Sequence, residues 1–385
     1  MYTTQTILVV ADHTADRARL ARVLERSEPW KLVWTSDFDD AYDRCMSGTV
    51  DTVVIMISMP GRMTLLQRLI RDAPQITRVL VVGGNDEATV LMRFVDQIVT
   101  DSLTDGEFRE AIARGRLFKR LSAIESFDLL ERGIGQLPAL PSVYQKLTRA
   151  LWEPGVHLSR LAAIVETDPV VSVRVLQLTN SAFFGTTRRL ASIQEAISRL
   201  GVGLLRSLML TSHVLDTLTP HAREISRERF HAYSLRVARV ARKLAAVDSD
   251  SAFTAGLLAN LGRLVLAVLL PDQFSRIAQR AMETGRSIDL VEIEVLGATH
   301  AELGAYLLDR WDLPFGVVEA VGYHHRPAQA YTQETSLLAV THAADALVGI
   351  HWCGDPEDRL DTDYIQRAGM LDKLPGWRVI AQSEE

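Results

Sequence analysis

Cysteine is almost absent: Cys45 and Cys353 are the only two in 385 residues, and they lie far apart in the chain. Two distant thiols support neither a disulfide framework nor a zinc knuckle, so a reducing compartment is expected. Lysine is also scarce, five residues against 37 arginines, a bias that records genome composition more than function. Charge of one sign is nowhere concentrated. Residues 1–125 hold 16 basic and 18 acidic groups, and the remainder 26 and 30, for a net charge of −6. Neither part reads as a nucleic-acid arm or an acidic tail. The opening MYTTQTILVV lacks the basic-then-apolar layout of a secretory signal. The longest apolar run, Gly256–Leu270, is interrupted by Asn260 and Arg263 and is too short to cross a bilayer. These absences lead to the expectation of a cytoplasmic chain with no membrane or nucleic-acid partner.

What is present is an ordinary globular composition, 47% hydrophobic and 23% charged. At this length two or three domains are expected. The first 125 residues alternate short β-branched runs with helical patterns. Ile7–Val10, Lys31–Trp34, Thr52–Ile57, Val79–Val82 and Gln97–Val99 are the runs. Several are apolar without alternation, as in parallel strands covered on both faces. Between them, Leu20, Val23 and Leu24 hold helical spacing, and Asn85 before Asp86-Glu87 reads as a helix start. The fold class expected is a doubly wound five-stranded α/β layer, with ligands at the carboxyl ends of the strands.

ILVVAD and DTVVIMISMPG, in this order of elements, resemble the first and third strands of a response-regulator receiver domain. In that family clustered carboxylates hold magnesium and an aspartate accepts a phosphoryl group, which a hydroxyl and a lysine then read. Position by position the set is missing. The acidic pair is Ala11 and Asp12, the phosphoacceptor position is Met56, the hydroxyl position is Gly83, and the lysine-proline pair is Thr100-Asp101. The resemblance therefore implies a pseudo-receiver over residues 1–122, with Asp12 an acidic remnant and no phosphoacceptor. The Gly83-Gly84-Asn85 turn reads either as an anion-binding helix start or as a turn needing permissive backbone angles.

From Gly106 a helix with basic residues interleaved is expected to run to about Gly133-Ile134-Gly135, residues 123–136 forming a helical linker that joins or dimerises domains. After Gln136 the spacing is helical throughout. LPALPSVYQKL, VETDPVVSVRVLQLTNSAFFG and SIQEAISRLGVGLLRSLML closely resemble the successive signatures of an HDOD domain, a non-catalytic relative of HD phosphohydrolases. This gives an all-helical second part: an N-terminal half over 137–215, an HD-like half over 216–350, and a tail over 351–385 that packs on them. Within NSAFFG, Phe183 and Phe184 are partner anchors or core fillers, Asn180 ties the loop to the backbone, Gly185 ends the motif, and Arg188 belongs to a small basic edge.

HD enzymes hold metals with histidines and an adjacent His-Asp pair on neighbouring helices. Here the first histidine position is Tyr233, and the His-Asp pair is replaced by Ala259 and Asn260. His300, the tandem His324-His325 and Asp345 persist, so a remnant pocket is expected, with imidazoles making hydrogen bonds or recruiting an adventitious metal. The resemblance implies a non-enzymatic signalling adaptor that needs no cofactor or metal. Its implied partners are kinases, diguanylate cyclases or phosphodiesterases, with homodimer formation open. The alternatives are a nucleotide or cyclic-dinucleotide sensor and a divergent metal-dependent phosphohydrolase.

Overall fold

The computed structural model describes residues 5–11, 21, 30–56, 61–82, 94–100, 104–122, 124, 127–136, 142–151, 156–179, 192–206, 209, 225–311, 313–330, 336–353 and 359–383. The chain divides into two compact units, Met1–Phe127 and Asp128–Glu385.

The first unit is built on strands β1 (Gln5–Val10), β2 (Trp30–Thr35), β3 (Thr52–Met56), β4 (Thr77–Val82) and β5 (Gln97–Thr100). They form one parallel sheet in the order β2-β1-β3-β4-β5. β3 and β4 are buried along their whole length, which explains why their sequences are continuous rather than alternating apolar runs. Helices α1 (Phe38–Met46), α2 (Arg62–Asp72) and α3 (Asp105–Ser122) connect or follow the strands. Asp37 caps α1, accepting hydrogen bonds from the amides of Asp39 and Asp40. Apolar Phe108, Ile112, Leu117 and Leu121 of α3 are buried. Its Lys119 meets Asp96 at 3.0 Å, and Asp96 also pairs with Arg78 at 2.9 Å. The buried Cys45 thiol is pushed up to about 12 by burial, so it is neither a thiolate nor a ready ligand.

The single long helix expected from Gly106 to Gly133 is instead two. α3 stops at Ser122, and α4 spans Phe127–Gln136. Gly133 therefore does not end a helix but sits inside one, where a Cβ would come within 2.9 Å of the Leu269 side-chain carbons. Its lack of a side chain permits close packing, a role that spacing alone does not reveal.

The second unit continues with α5 (Ser142–Leu151), α6 (Leu158–Glu166), α7 (Pro169–Thr179) and α8 (Ile193–Leu200). Residues 202–206 are helical. Residues 225–330 hold α9 (Arg227–Leu244), α10 (Ser249–Leu258), α11 (Leu261–Leu269), α12 (Pro271–Thr284), α13 (Ile288–Leu296), α14 (His300–Arg310) and α15 (Phe315–Tyr323). Then come α16 (Ser336–Cys353), α17 (Thr362–Arg367) and α18 (Leu374–Ser383). α16 runs through residue 350, so the expected boundary between HD-like half and tail falls inside a helix. α9 packs on α10 and α16, and α14 packs on α11 and α15. Phe253 and Leu257 of α10 join Leu200, Leu204 and Ala238 in one buried cluster, tying the two halves of this unit together. Each such large side chain contributes about 2 kcal/mol on leaving water.

Taken together, α10 and α11 (Ser249–Leu269, 21 residues) are, by length and composition alone, long and apolar enough to cross a membrane, a longer span than the Gly256–Leu270 run read from the sequence. That segment is 78% buried inside the unit, as a core helix is. α11 and α14 meet almost backbone to backbone: a Cβ on Gly262 would overlap the carbonyl of His300 and approach the Gly304 amide to 2.8 Å. Only glycine fits there.

Candidate functional site

The segment GATHAELG fixes His300 by its own local chemistry. Gly297, at a left-handed φ of 80°, ends α13. Thr299 then caps α14 in a reciprocal box with Glu302: the Glu302 amide donates to Thr299 Oγ1 at 3.2 Å, and the Thr299 amide donates to Glu302 Oε2 at 2.8 Å. His300 is thereby the first helical residue, fully buried, with its amide donating to Glu292 Oε2 at 2.8 Å. His324 caps the C-terminal end of α15, and His325 follows it. Asp345 sits in the apolar α16, where Thr341, His342 and Asp345 are the buried polar interruptions. Tyr233 comes from α9, and Asn260 from the turn between α10 and α11.

These side chains meet in one buried cluster. The Asp345 carboxylate accepts from Tyr233 Oη at 3.1 Å, Asn260 Nδ2 at 2.9 Å and an Arg359 terminal guanidinium nitrogen at 2.9 Å. The same Arg359 nitrogen lies 3.1 Å from His325 Nδ1, and His325 Nε2 lies 3.0 Å from His300 Nε2. His300 Nδ1 is 2.7 Å from Glu292 Oε2. His324 Nδ1 donates to the Val321 carbonyl at 2.7 Å. His342 Nδ1 donates to the His324 carbonyl at 2.7 Å, and its Nε2 accepts the Asp361 amide at 2.9 Å.

The donors fix the protons. A guanidinium only donates, so His325 Nδ1 must accept and its Nε2 carries the hydrogen. His300 Nε2 must then accept that hydrogen, which leaves His300 Nδ1–H for the Glu292 carboxylate. In this arrangement His300, His325 and His342 each carry a single ring hydrogen. Electrostatics agree where they are resolved. Burial pushes His324 down to about 4 against the opposing pull of Asp345. Burial, aided by His324 and Arg359, pushes His325 well below its ordinary value. Burial would raise the Asp345 carboxyl, but Arg359 foremost, with His324, Arg263 and the Asn260 hydrogen bond, holds it below the usual range.

Residues 137–327 match the HDOD domain family. The chain carries an HDOD domain. The HDOD domain protein of Geobacter sulfurreducens superposes on 69% of this chain and 93% of its own, with a TM-score of 0.57 and 24% identity. A Shewanella amazonensis SB2B protein that is a phosphohydrolase by name gives 0.52 and 25%, over 66% of this chain and 97% of its own. A signal-transduction protein by name from Marinobacter aquaeolei VT8 gives 0.50 and 19%, over 84% of this chain and 83% of its own. An uncharacterised protein of Treponema pallidum (strain Nichols) is 27% identical over 220 residues, 56% of this chain. The chain spans about two fifths of that relative's length, 42%.

Asp345 and Arg359 lie beyond the residues matched to the HDOD domain. Of the remnant positions read from the sequence, Tyr233, Asn260, His300, both tandem histidines and Asp345 converge; Ala259 is buried beside them in sequence and contributes no polar atom. Arg359, Glu292 and His342 belong to the cluster and were not singled out. A signal for Glu292 did exist: a carboxylate on a mostly apolar helix, eight residues before a histidine. Arg359 follows α16 in a segment with no periodic pattern and carried none.

A two-metal phosphoesterase centre needs a bridging carboxylate and a first histidine. Here Asn260 offers the cluster an amide and Tyr233 a phenol, and a permanent cation already pairs with Asp345. The residues present do not fit a dinuclear centre. The cavity against His325 measures about 10 Å³, room for about one water and not for a nucleotide. Elsewhere in the unit a cleft of about 260 Å³ is lined by Tyr144, Arg206, Asp248, Asp250 and Thr254 among others.

In the first unit, Met56 ends β3 with 6% of its surface exposed, a buried thioether that forms no acyl phosphate. Ala11 is buried. Asp12, the Gly83-Gly84-Asn85 turn and Asp101 lie outside the described residues, as do Asn180, Phe183, Phe184, Gly185 and Arg188.

Proposed function

We propose that this protein is a signal-transduction adaptor, in which a pseudo-receiver and the HDOD domain act by binding other proteins and not by making or breaking bonds. The observation that carries the reading is the filled remnant site: Asp345 is saturated by Tyr233, Asn260 and Arg359 where an HD enzyme places its metal. Met56 at the end of β3 supports independence from aspartyl phosphorylation, and the parallel sheet order supports a doubly wound, receiver-like first unit. The name of the Marinobacter relative supports a signalling context. Kinases, diguanylate cyclases and phosphodiesterases are the partners this context suggests, in the cytoplasm.

The test is a paired assay on the full chain. Purified protein is incubated with phosphomonoesters, nucleotides and cyclic dinucleotides in Mg²⁺, Mn²⁺ or Fe²⁺, and the same protein is used for affinity capture from native lysate. No turnover together with a reproducible protein partner is expected. Metal-dependent turnover abolished by His300→Ala would establish the phosphohydrolase reading suggested by the name of the Shewanella relative. Stoichiometric nucleotide binding without turnover would favour a sensor, with the 260 Å³ cleft as its place.

A further inference from the structure

His300, His324 and His325 have ring nitrogens within 4.8 Å of one another. Two of the three are also oriented as metal ligands are, with the far nitrogen tied down: His300 Nδ1 by Glu292 and His324 Nδ1 by the Val321 carbonyl. His324 Nε2 is fully buried and has no hydrogen-bond partner among the described residues, a lone pair aimed into the cluster 3.9 Å from Asp345 Oδ2. Asn260 Oδ1 is a second such acceptor. Three imidazoles around an unsatisfied lone pair are the donor set of a mononuclear transition-metal site.

One residue spoils that site. Arg359 donates to His325 Nδ1, which leaves the hydrogen on Nε2, and this Nε2–H points at His300 Nε2. A protonated Nε2 cannot ligate, and it occupies the lone pair of His300 as well. Arg359 also places its charge on Asp345 at 2.9 Å, where an incoming cation would otherwise be neutralised. Its neighbours in sequence are anchored: Leu360 is buried, and the Asp361 amide bonds to His342.

We infer that Arg359 is a tautomer lock, a cation supplied by the chain itself that holds a three-histidine pocket in a hydrogen-bonded, metal-excluding state. The pocket takes one divalent transition-metal ion only when the guanidinium is absent. No catalytic step is attached to this, and finding or failing to find a protein partner leaves it untouched.

The test uses tag-free full-length protein and Co²⁺, whose visible spectrum reports histidine ligation. Wild type is expected to show no stoichiometric binding. Arg359→Gln, which keeps a side chain of hydrogen-bonding amide without the charge, is expected to bind one Co²⁺ at least about 10-fold more tightly, the lower bound for altering a ligand's outer partner. Adding His324→Ala should abolish that binding. A folded Arg359→Gln that binds Co²⁺ no better than wild type overturns the inference. So does wild-type binding of one Co²⁺ that His324→Ala removes. A second measurement needs no variant to fold: long-range ¹H–¹⁵N spectra of histidine-labelled wild type should show His325 as the Nε2–H tautomer, with His300 and His324 as Nδ1–H. An Nδ1–H assignment for His325 refutes the lock outright.

Discussion

Acid should loosen the helical unit before the ordinary carboxylates titrate. His324 holds its proton poorly in the folded chain, at about 4 against an ordinary 6.5. A group depressed in the folded state takes up its proton on unfolding, so its stabilisation is present above the unfolded value and is lost as pH falls toward the folded one. Going from about pH 7.5 to about pH 5, the unfolded His324 becomes almost fully charged while the folded one stays neutral, a loss of about 2 kcal/mol from this residue. Burial pushes His325 and His342 in the same direction, so the total should be larger. The assay is urea unfolding followed by tryptophan fluorescence at both pH values, on wild type and on His324→Gln. The wild-type midpoint should drop steeply. The variant, though less stable at neutral pH, should lose about 2 kcal/mol less over the same interval. Equal pH slopes in the two proteins would show that His324 is charged, or solvated, in the folded state, and the neutral cluster described above would be wrong.

Gly262→Ala should cost about 3 kcal/mol or more by forcing α11 away from the His300 carbonyl, whereas Gly285→Ala, with open space around it and a φ of 63°, should cost about 1 kcal/mol; thermal denaturation separates them. Asn260→Ala removes one of the bonds to the Asp345 carboxylate and should destabilise by about 1–2 kcal/mol in chemical denaturation, with Tyr233→Phe close to it; a double-mutant cycle should show the two to be coupled. In the first unit, Asp96→Ala leaves Arg78 and Lys119 facing each other, and should cost about 2 kcal/mol that Lys119→Met partly restores.

The strands β3 and β4 were legible because each is a largely β-branched run buried along its whole length, and Thr52, Val53, Val54 and Ile55 leave no helical reading. The break between α3 and α4 was not. Ile124 continues the apolar spacing of Leu117 and Leu121, and nothing in Ala123–Ser126 is a helix breaker. In the candidate site, His300, His324, His325 and Asp345 were legible because the resemblance to the HD family marks their positions. The partners that set their protonation were not. Glu292 reaches His300 across a helix end, and Arg359 reaches His325 from 34 positions away. Neither distance follows from a period of 2 or 3.6, so only the folded chain reveals them.

The buried charges around Asp345 also constrain how this sequence can change. Asn260→Asp alone would set a second carboxylate against Asp345, whose Arg359 guanidinium is already paired. Loss of Arg359 alone would strand Asp345 without its cation. Tyr233→His alone would remove a phenolic donor from the same carboxylate. Each of these single changes leaves a buried charge or a buried polar atom around Asp345 worse satisfied than before. The cluster is therefore interlocked: its members can be exchanged without loss only together.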